Sequence, residues 1–184
     1  TTHHVAWLAE RVTEQCSLPV ETIFKALENL ENSHIEGCIT TLQKAVKEFG
    51  NLPGTMDVVK KLFEHSAIPK RANRAKGCFY ELASALKLQE MGHEILEFSY
   101  KIGMNEYDIL TATHLVECKN WNWQFYINKG KEPFVDLLKQ LKIATNNSLK
   151  TQKKVYLMTK NIIPPELNWL RNDIFSLGIE ILEG

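Results

Sequence analysis

Between Glu106 and Asn120 the chain carries three side chains whose types and spacing suit one chemistry: Asp108, Glu117 and Lys119. Alternate side chains of a β-strand share a face, so Glu117 and Lys119 point one way while Val116 and Cys118 point the other. Asp108 belongs to a preceding strand joined to theirs by a short turn, and antiparallel pairing brings it across from Glu117. Two carboxylates held together repel, and a hard divalent cation such as Mg²⁺ between them relieves the repulsion. Such a cation polarises a phosphoryl oxygen and positions an attacking water. A lysine beside it meets the negative charge that develops at phosphorus. Phosphodiester hydrolysis needs these functions together.

A third acid, Glu81, comes from a helix. With Cys78, Leu82, Ala85 and Leu88 as the buried stripe, Glu81 projects inside it. A buried carboxylate without a partner costs several kcal/mol, so a metal, a bound water or Lys119 is expected to compensate it.

The elements that must position these residues follow from periodicity. Residues 1–70 read as helices only, through Val5, Leu8, Ala9, Val12 and Cys16, then Val20, Ile23, Phe24, Leu27 and Leu30. Ser33 with Glu36 predicts a capping box that opens a helix carrying Ile35, Cys38, Ile39, Leu42, Val46 and Phe49, with Gly50 as its C-terminal cap. A shorter helix through Val58, Val59, Leu62 and Phe63 follows a Pro-Gly loop. From Arg74 the pattern predicts a helix to about Met91, then strands over Ile95–Tyr100, Glu106–Thr111 and His114–Asn120. A helix near Pro133, a strand at Val155–Met158, a helix over Glu166–Ser176 and a strand at Ile179–Leu182 complete the chain. The expected fold is therefore α/β, a mixed central sheet in α-β-β-β-α-β-α-β order. It divides into a small all-helical domain over residues 1–70 and a second domain over residues 71–184.

Composition narrows the function. The 22 basic and 22 acidic side chains cancel, so attraction to a polyanion must come from a local patch. No apolar run approaches the roughly 20 residues that span a bilayer. The absence of an initial Met suggests a piece of a longer chain. Cys16, Cys38, Cys78 and Cys118 form no CxxC pair and each falls in an apolar pattern, so reduced core thiols are expected rather than a zinc site.

Residues 77–119 carry a specific likeness. Gly77-x-x-x-Glu81-x-x-x-Ala85-x-x-Leu88, then Gly92, Glu106-Tyr107-Asp108 and Val116-Glu117-Cys118-Lys119, resemble the core of the PD-(D/E)xK nuclease superfamily. Tyr107 stands where the name-giving motif has Pro. The resemblance implies a restriction-endonuclease-like fold and an endonuclease activity. It implies Asp108 and Glu117 as metal ligands, with the main-chain carbonyl of Cys118 completing the site. Lys119 would be the catalytic lysine, Glu81 would bind the metal directly or through water, and Gln140 would be a polar support on the following helix. The metal is expected to be Mg²⁺, with Mn²⁺ or Zn²⁺ as alternatives.

A nuclease of this kind behind a helical module is also similar in organisation to the C-terminal regions of contact-dependent inhibition and other polymorphic bacterial toxins. That likeness implies export as part of a larger bacterial protein, cleavage of DNA or tRNA in a target-cell cytoplasm, and an immunity protein as partner. A cytoplasmic restriction- or repair-type DNase is the alternative. A non-catalytic nucleic-acid-binding module is the reading from another class.

Other features have plainer explanations. Lys70, Arg71, Arg74 and Lys76 read as a solvated helix start, with phosphate contact the sharper alternative. Trp121, Trp123, Phe125 and Tyr126 offer rings on which bases stack, although alternation sends at least two of them into a core. Lys129 and Lys131 flank a glycine turn, and Lys139, Lys142, Lys150, Lys153 and Lys154 make the stretch after the site basic. His93 and His114 are expected as surface histidines rather than acid–base catalysts.

Overall fold

The computed structural model describes residues 2–33, 35 and 37–184. The fold is α/β. Among the described residues it has seven α-helices and a five-stranded mixed sheet. The chain divides into two compact units, Thr1–Ser99 and Tyr100–Gly184.

The first unit holds α1 (Thr2–Cys16), α2 (Val20–Glu31), α3 (Cys38–Phe49), α4 (Thr55–Ser66) and α5 (Ala72–Glu90). Leu8, Val12, Leu42, Val59, Leu62 and Phe63 are buried completely and form its centre. Each such side chain contributes about 1.5–3 kcal/mol of burial free energy. Asn29 of α2 ties itself to α4 by donating its amide N–H to the Ser66 carbonyl at 2.8 Å. The apolar stripe of α2 is narrower than its sequence suggests, because Val20 and Phe24 are exposed and Ile23, Ala26, Leu27 and Leu30 are buried.

The start of α3 also departs from expectation. The helix begins at Cys38, after Gly37 in a left-handed conformation, not at Ser33. The Ser33 hydroxyl instead donates to the Leu30 carbonyl at 2.7 Å and finishes α2. Glu36, the other half of the expected capping box, lies outside the described residues.

Helix α5 packs against α3 and α4. Its buried side chains are Ala75, Phe79, Leu82, Ser84, Ala85, Leu86 and Leu88. Two neighbouring helices make this stripe broad; Leu82, Ala85 and Leu88 are its most deeply buried members, and Phe79 rather than Cys78 continues it toward the helix start. Cys78 is accordingly half-buried, as is Cys118, while Cys16 and Cys38 are buried as expected.

Strand β1 (Ile95–Ile102) runs from the first unit into the second, and Phe98 on it donates its N–H to the Pro53 carbonyl at 2.9 Å. Gly54 makes this approach possible. It sits at φ +81, and a Cβ there would lie 2.0 Å from the Phe98 carbonyl oxygen.

The second unit continues with β2 (Asn105–Thr111), β3 (His114–Lys119), α6 (Val135–Thr151), β4 (Lys154–Thr159), α7 (Asn168–Ser176) and β5 (Glu180–Glu183). The strand order is β1-β2-β3-β4-β5. The β2–β3 pair is antiparallel, and the β3–β4 and β4–β5 pairs are parallel with helical crossovers. Central strand β3 is flanked on both edges, which is why four of its six residues are buried.

The two sheet faces differ. One carries Tyr107, Ile109, Val116 and Cys118, and α6 packs there: the Asn147 amide donates to the Tyr107 hydroxyl at 2.7 Å. The other carries Asp108, Leu110, Leu115, Glu117, Lys119, Leu157 and Thr159, by alternation and register. Helix α7 reaches that second face through an ion pair from Arg171 to Glu183, which stands in register with Thr159.

Candidate active site

The turn between β2 and β3 sets the geometry of the site. The Thr111 hydroxyl accepts the N–H groups of Thr113 at 3.2 Å and His114 at 2.9 Å, closing a tight reversal without glycine. The register that follows pairs Leu110 with Leu115 and Ile109 with Val116. One step further it sets Asp108 opposite Glu117. There Asp108 Oδ2 accepts the Cys118 main-chain N–H at 2.8 Å, a charge-assisted bond that fixes the carboxylate against the neighbouring strand. The N–H and C=O of one strand residue leave the same edge, so the Cys118 carbonyl also leaves β3 on the Asp108 side.

Glu117 is buried, at 7% exposure, in the middle of the sheet. Burial pushes its carboxyl pKa up to about 8, Asp108 adds to the rise, Lys119 opposes it and Glu106 adds a little. A carboxylic acid in this position keeps its proton at neutral pH unless a positive charge replaces it.

Lys119 is half-buried, on the same face, with its ammonium 5.7 Å from the Trp121 ring centre. Asp108, Glu117 and Lys119 are thus brought to one face of one hairpin. Among the described residues no three His, Cys, Asp or Glu side chains form a metal-holding group. The donors that meet at Glu117 are its own carboxylate, that of Asp108 and main-chain oxygen, with Glu106 further along the same face. Their chemistry fits a hard divalent cation, because a dication offsets both the burial of Glu117 and its repulsion with Asp108.

Two nearby residues escaped the sequence reading. Glu106 shares the β2 face of Asp108 and helps to hold the proton on Glu117. Thr159 is fully buried, stands in register with Lys119 across the β3–β4 pair, and its hydroxyl has no hydrogen-bond partner. Alternation could have pointed to Glu106. Thr159 needed the β4 register, which nothing local in the sequence specifies.

The two remaining expected site residues lie on helices. Glu81 lies on α5 in the first unit and is half-buried rather than buried, since Phe79 and Leu82 take the centre of the stripe. Gln140 is exposed, on a helix that packs against the opposite face of the sheet, and is not brought to the carboxylates.

His114 departs from its expected surface position. It begins β3, is 7% exposed, and stacks on Tyr156 with ring centres 3.7 Å apart. Its Nδ1 shares a 2.7 Å hydrogen bond with the Thr113 hydroxyl. It faces the side of the sheet away from Glu117. His93 is half-buried after α5.

The residues after β3 form an aromatic cluster. Trp123 is its buried member and donates its indole N–H to the Asn161 carbonyl at 2.9 Å. Phe134 is buried beside it, with Trp121, Tyr126 and Trp169 half-buried around them and Phe125 exposed. Lys139, Lys142, Lys150 and Lys154 are exposed, as are Lys70, Arg71, Arg74 and Lys76 in the first unit. Lys153 donates to the Ala112 carbonyl at 2.8 Å.

Among the described residues no helix is long and apolar enough to cross a membrane. No protein-family model, no curated protein and no solved structure matches the chain.

Proposed function

We propose that the protein is a metal-dependent endonuclease of the PD-(D/E)xK type, hydrolysing phosphodiester bonds in DNA or tRNA. The observation that carries the reading is the Asp108–Glu117 pair. One carboxylate is fixed by the Cys118 N–H and the other is buried and strained by its neighbour, with Lys119 on the same face. A structural role has no use for two acids at the centre of a sheet, whereas a phosphodiesterase does. The element order α5-β1-β2-β3-α6-β4-α7-β5 suits a restriction-endonuclease-like core.

Asp108, Glu117 and the Cys118 carbonyl would hold Mg²⁺, which when bound supplies Lewis-acid polarisation of the phosphoryl oxygen. Lys119 places its ammonium where negative charge develops and orients the attacking water. Glu117 would give up its proton to solvent on holding the cation, and the turn at Thr111 holds the two strands in register. The helices ahead of this core support the further reading as a bacterial toxin region delivered to a target cell and blocked by an immunity protein.

The test is incubation of purified protein with plasmid DNA and, separately, total tRNA, in Mg²⁺, Mn²⁺, Zn²⁺ or EDTA, with Lys119→Ala alongside. Cleavage that EDTA abolishes and the variant lacks is the expected result. Folded protein that cuts neither substrate in any metal would overturn the reading.

A further inference from the structure

The rings that follow β3 are arranged at a surface as well as in a core. Trp121 lies 5.6 Å from Tyr126, and both contact buried Phe134, which also meets Trp169 at 5.6 Å. These three outer rings stay half-exposed. A different lysine ammonium stands over each: Lys119 over Trp121 at 5.7 Å, Lys129 over Tyr126 at 5.8 Å and Lys131 over Trp169 at 5.0 Å. Two more apolar side chains are exposed in the same loops. Phe125 is 68% exposed in the turn that holds Tyr126, and Ile162 is 70% exposed. Its neighbour Asn161 donates its amide to the Trp121 carbonyl at 2.8 Å.

We propose that this face is a platform for an unpaired nucleic-acid strand, with bases stacking on Trp121 and Tyr126 and the lysines taking the flanking phosphates. A duplex keeps its base faces stacked inside and offers such rings nothing. A single strand offers π-faces and phosphates together, and here each outer ring has its own ammonium at its face, which a base can displace toward the adjoining phosphate. The chain has no net charge to attract a polyanion, so the attraction has to be local, and this cluster supplies it. Lys119 belongs both to the platform and to the carboxylate face, so a strand lying on Trp121 passes beside Asp108 and Glu117. The proposal rests on the nuclease reading for what happens next, but the binding stands apart from it.

Binding is therefore measured in EDTA, where cleavage is silent. Labelled oligothymidylate, oligouridylate and a matched DNA duplex are titrated by fluorescence anisotropy at two salt concentrations. The single strands should bind more tightly than the duplex, and the two single strands separate DNA from RNA as the preferred source. Trp121→Ala should weaken single-strand binding about tenfold or more, the usual worth of one stacked base. Lys129 and Lys131 are exposed, so replacing both by Ala leaves the core untouched. That double variant should reduce the slope of log affinity against log salt by roughly 1.4. Trp121→Phe should keep most of the affinity while losing much of the tryptophan quenching caused by oligothymidylate.

Equal or tighter duplex binding would overturn the proposal, as would unchanged affinity in both Trp121→Ala and the lysine double variant. So would an acidic peptide such as oligoglutamate competing as well as oligothymidylate. Single-strand binding without cleavage of any substrate in Mg²⁺, Mn²⁺ or Zn²⁺ would support the platform and remove the nuclease reading. Cleavage with no preference for single strands would do the reverse.

Discussion

Asp108 Oδ2 accepts the main-chain N–H of Cys118 across the β2–β3 pair at 2.8 Å, so this carboxylate is fixed by the strand that carries Glu117. Asp108→Asn keeps an acceptor for that N–H and removes the charge. It should leave thermal unfolding nearly unchanged, abolish metal-dependent cleavage, and lower the pKa of Glu117, followed by carboxyl-carbon NMR. Asp108→Ala also loses the acceptor, and should cost a further ~1–3 kcal/mol in urea unfolding, partly offset by relief of the repulsion. Full cleavage activity in either variant would remove Asp108 from the site.

Stability should fall with rising pH in metal-free protein. Glu117 has a folded pKa of about 8 against an ordinary value of 4.5. Below pH 4.5 both states are protonated and nothing is lost. Between the two values the unfolded chain releases the proton and the folded chain retains it, so unfolding becomes progressively easier, and above pH 8 the loss is complete. Urea unfolding in EDTA should show Glu117 costing on the order of a few kcal/mol between the ends of that window. Glu117→Gln should flatten the profile. A wild-type profile with no decline would show that Glu117 titrates normally.

Thr159 buries a hydroxyl without a partner beside Lys119. If the hydroxyl only fills space, Thr159→Val removes an uncompensated polar group and should stabilise by about 1 kcal/mol with cleavage unchanged. We expect the stabilisation together with slower cleavage, read as a fall in kcat at constant KM. The pair of measurements separates packing from a role in ordering water at the site.

Gly54→Ala should destabilise by roughly 2–5 kcal/mol in thermal or urea unfolding, combining a left-handed backbone with overpacking. The new methyl has to displace the Phe98 carbonyl, since its ideal position is 2.0 Å from that oxygen. An unaffected melting temperature would mean that the loop shifts freely.

The sequence carried the hairpin well and its surroundings poorly. Alternation over Glu106–Lys119 placed Asp108, Glu117 and Lys119 on one face, because a period of two survives any tertiary context that buries one face. The β4 and β5 strands were legible as apolar runs, but their parallel register was not, so Thr159 was invisible. Local cues misled where two elements competed for a residue. Ser33 had the composition of a cap for α3 and became the finish of α2. His114 looked like a turn residue and is stacked on Tyr156, a contact set by the β3–β4 pairing. The period of α5 shows that one face is buried and not against what, and its packing with α3 and α4 is set by the tertiary fold.

The five strands lie side by side in the order of their synthesis, with no later strand inserted between earlier ones. Folding of such a sheet can proceed by successive additions, and the shortest loops to close are the two-residue turns of the β1–β2 and β2–β3 hairpins. Asp108 and Glu117 therefore meet early, before the α6 crossover has delivered β4. At that stage water still surrounds both carboxylates and screens their repulsion to a fraction of its final size. The electrostatic conflict between the two carboxylates would reach its full size only when β4 pairs with the free edge of β3 and water is lost from around Glu117.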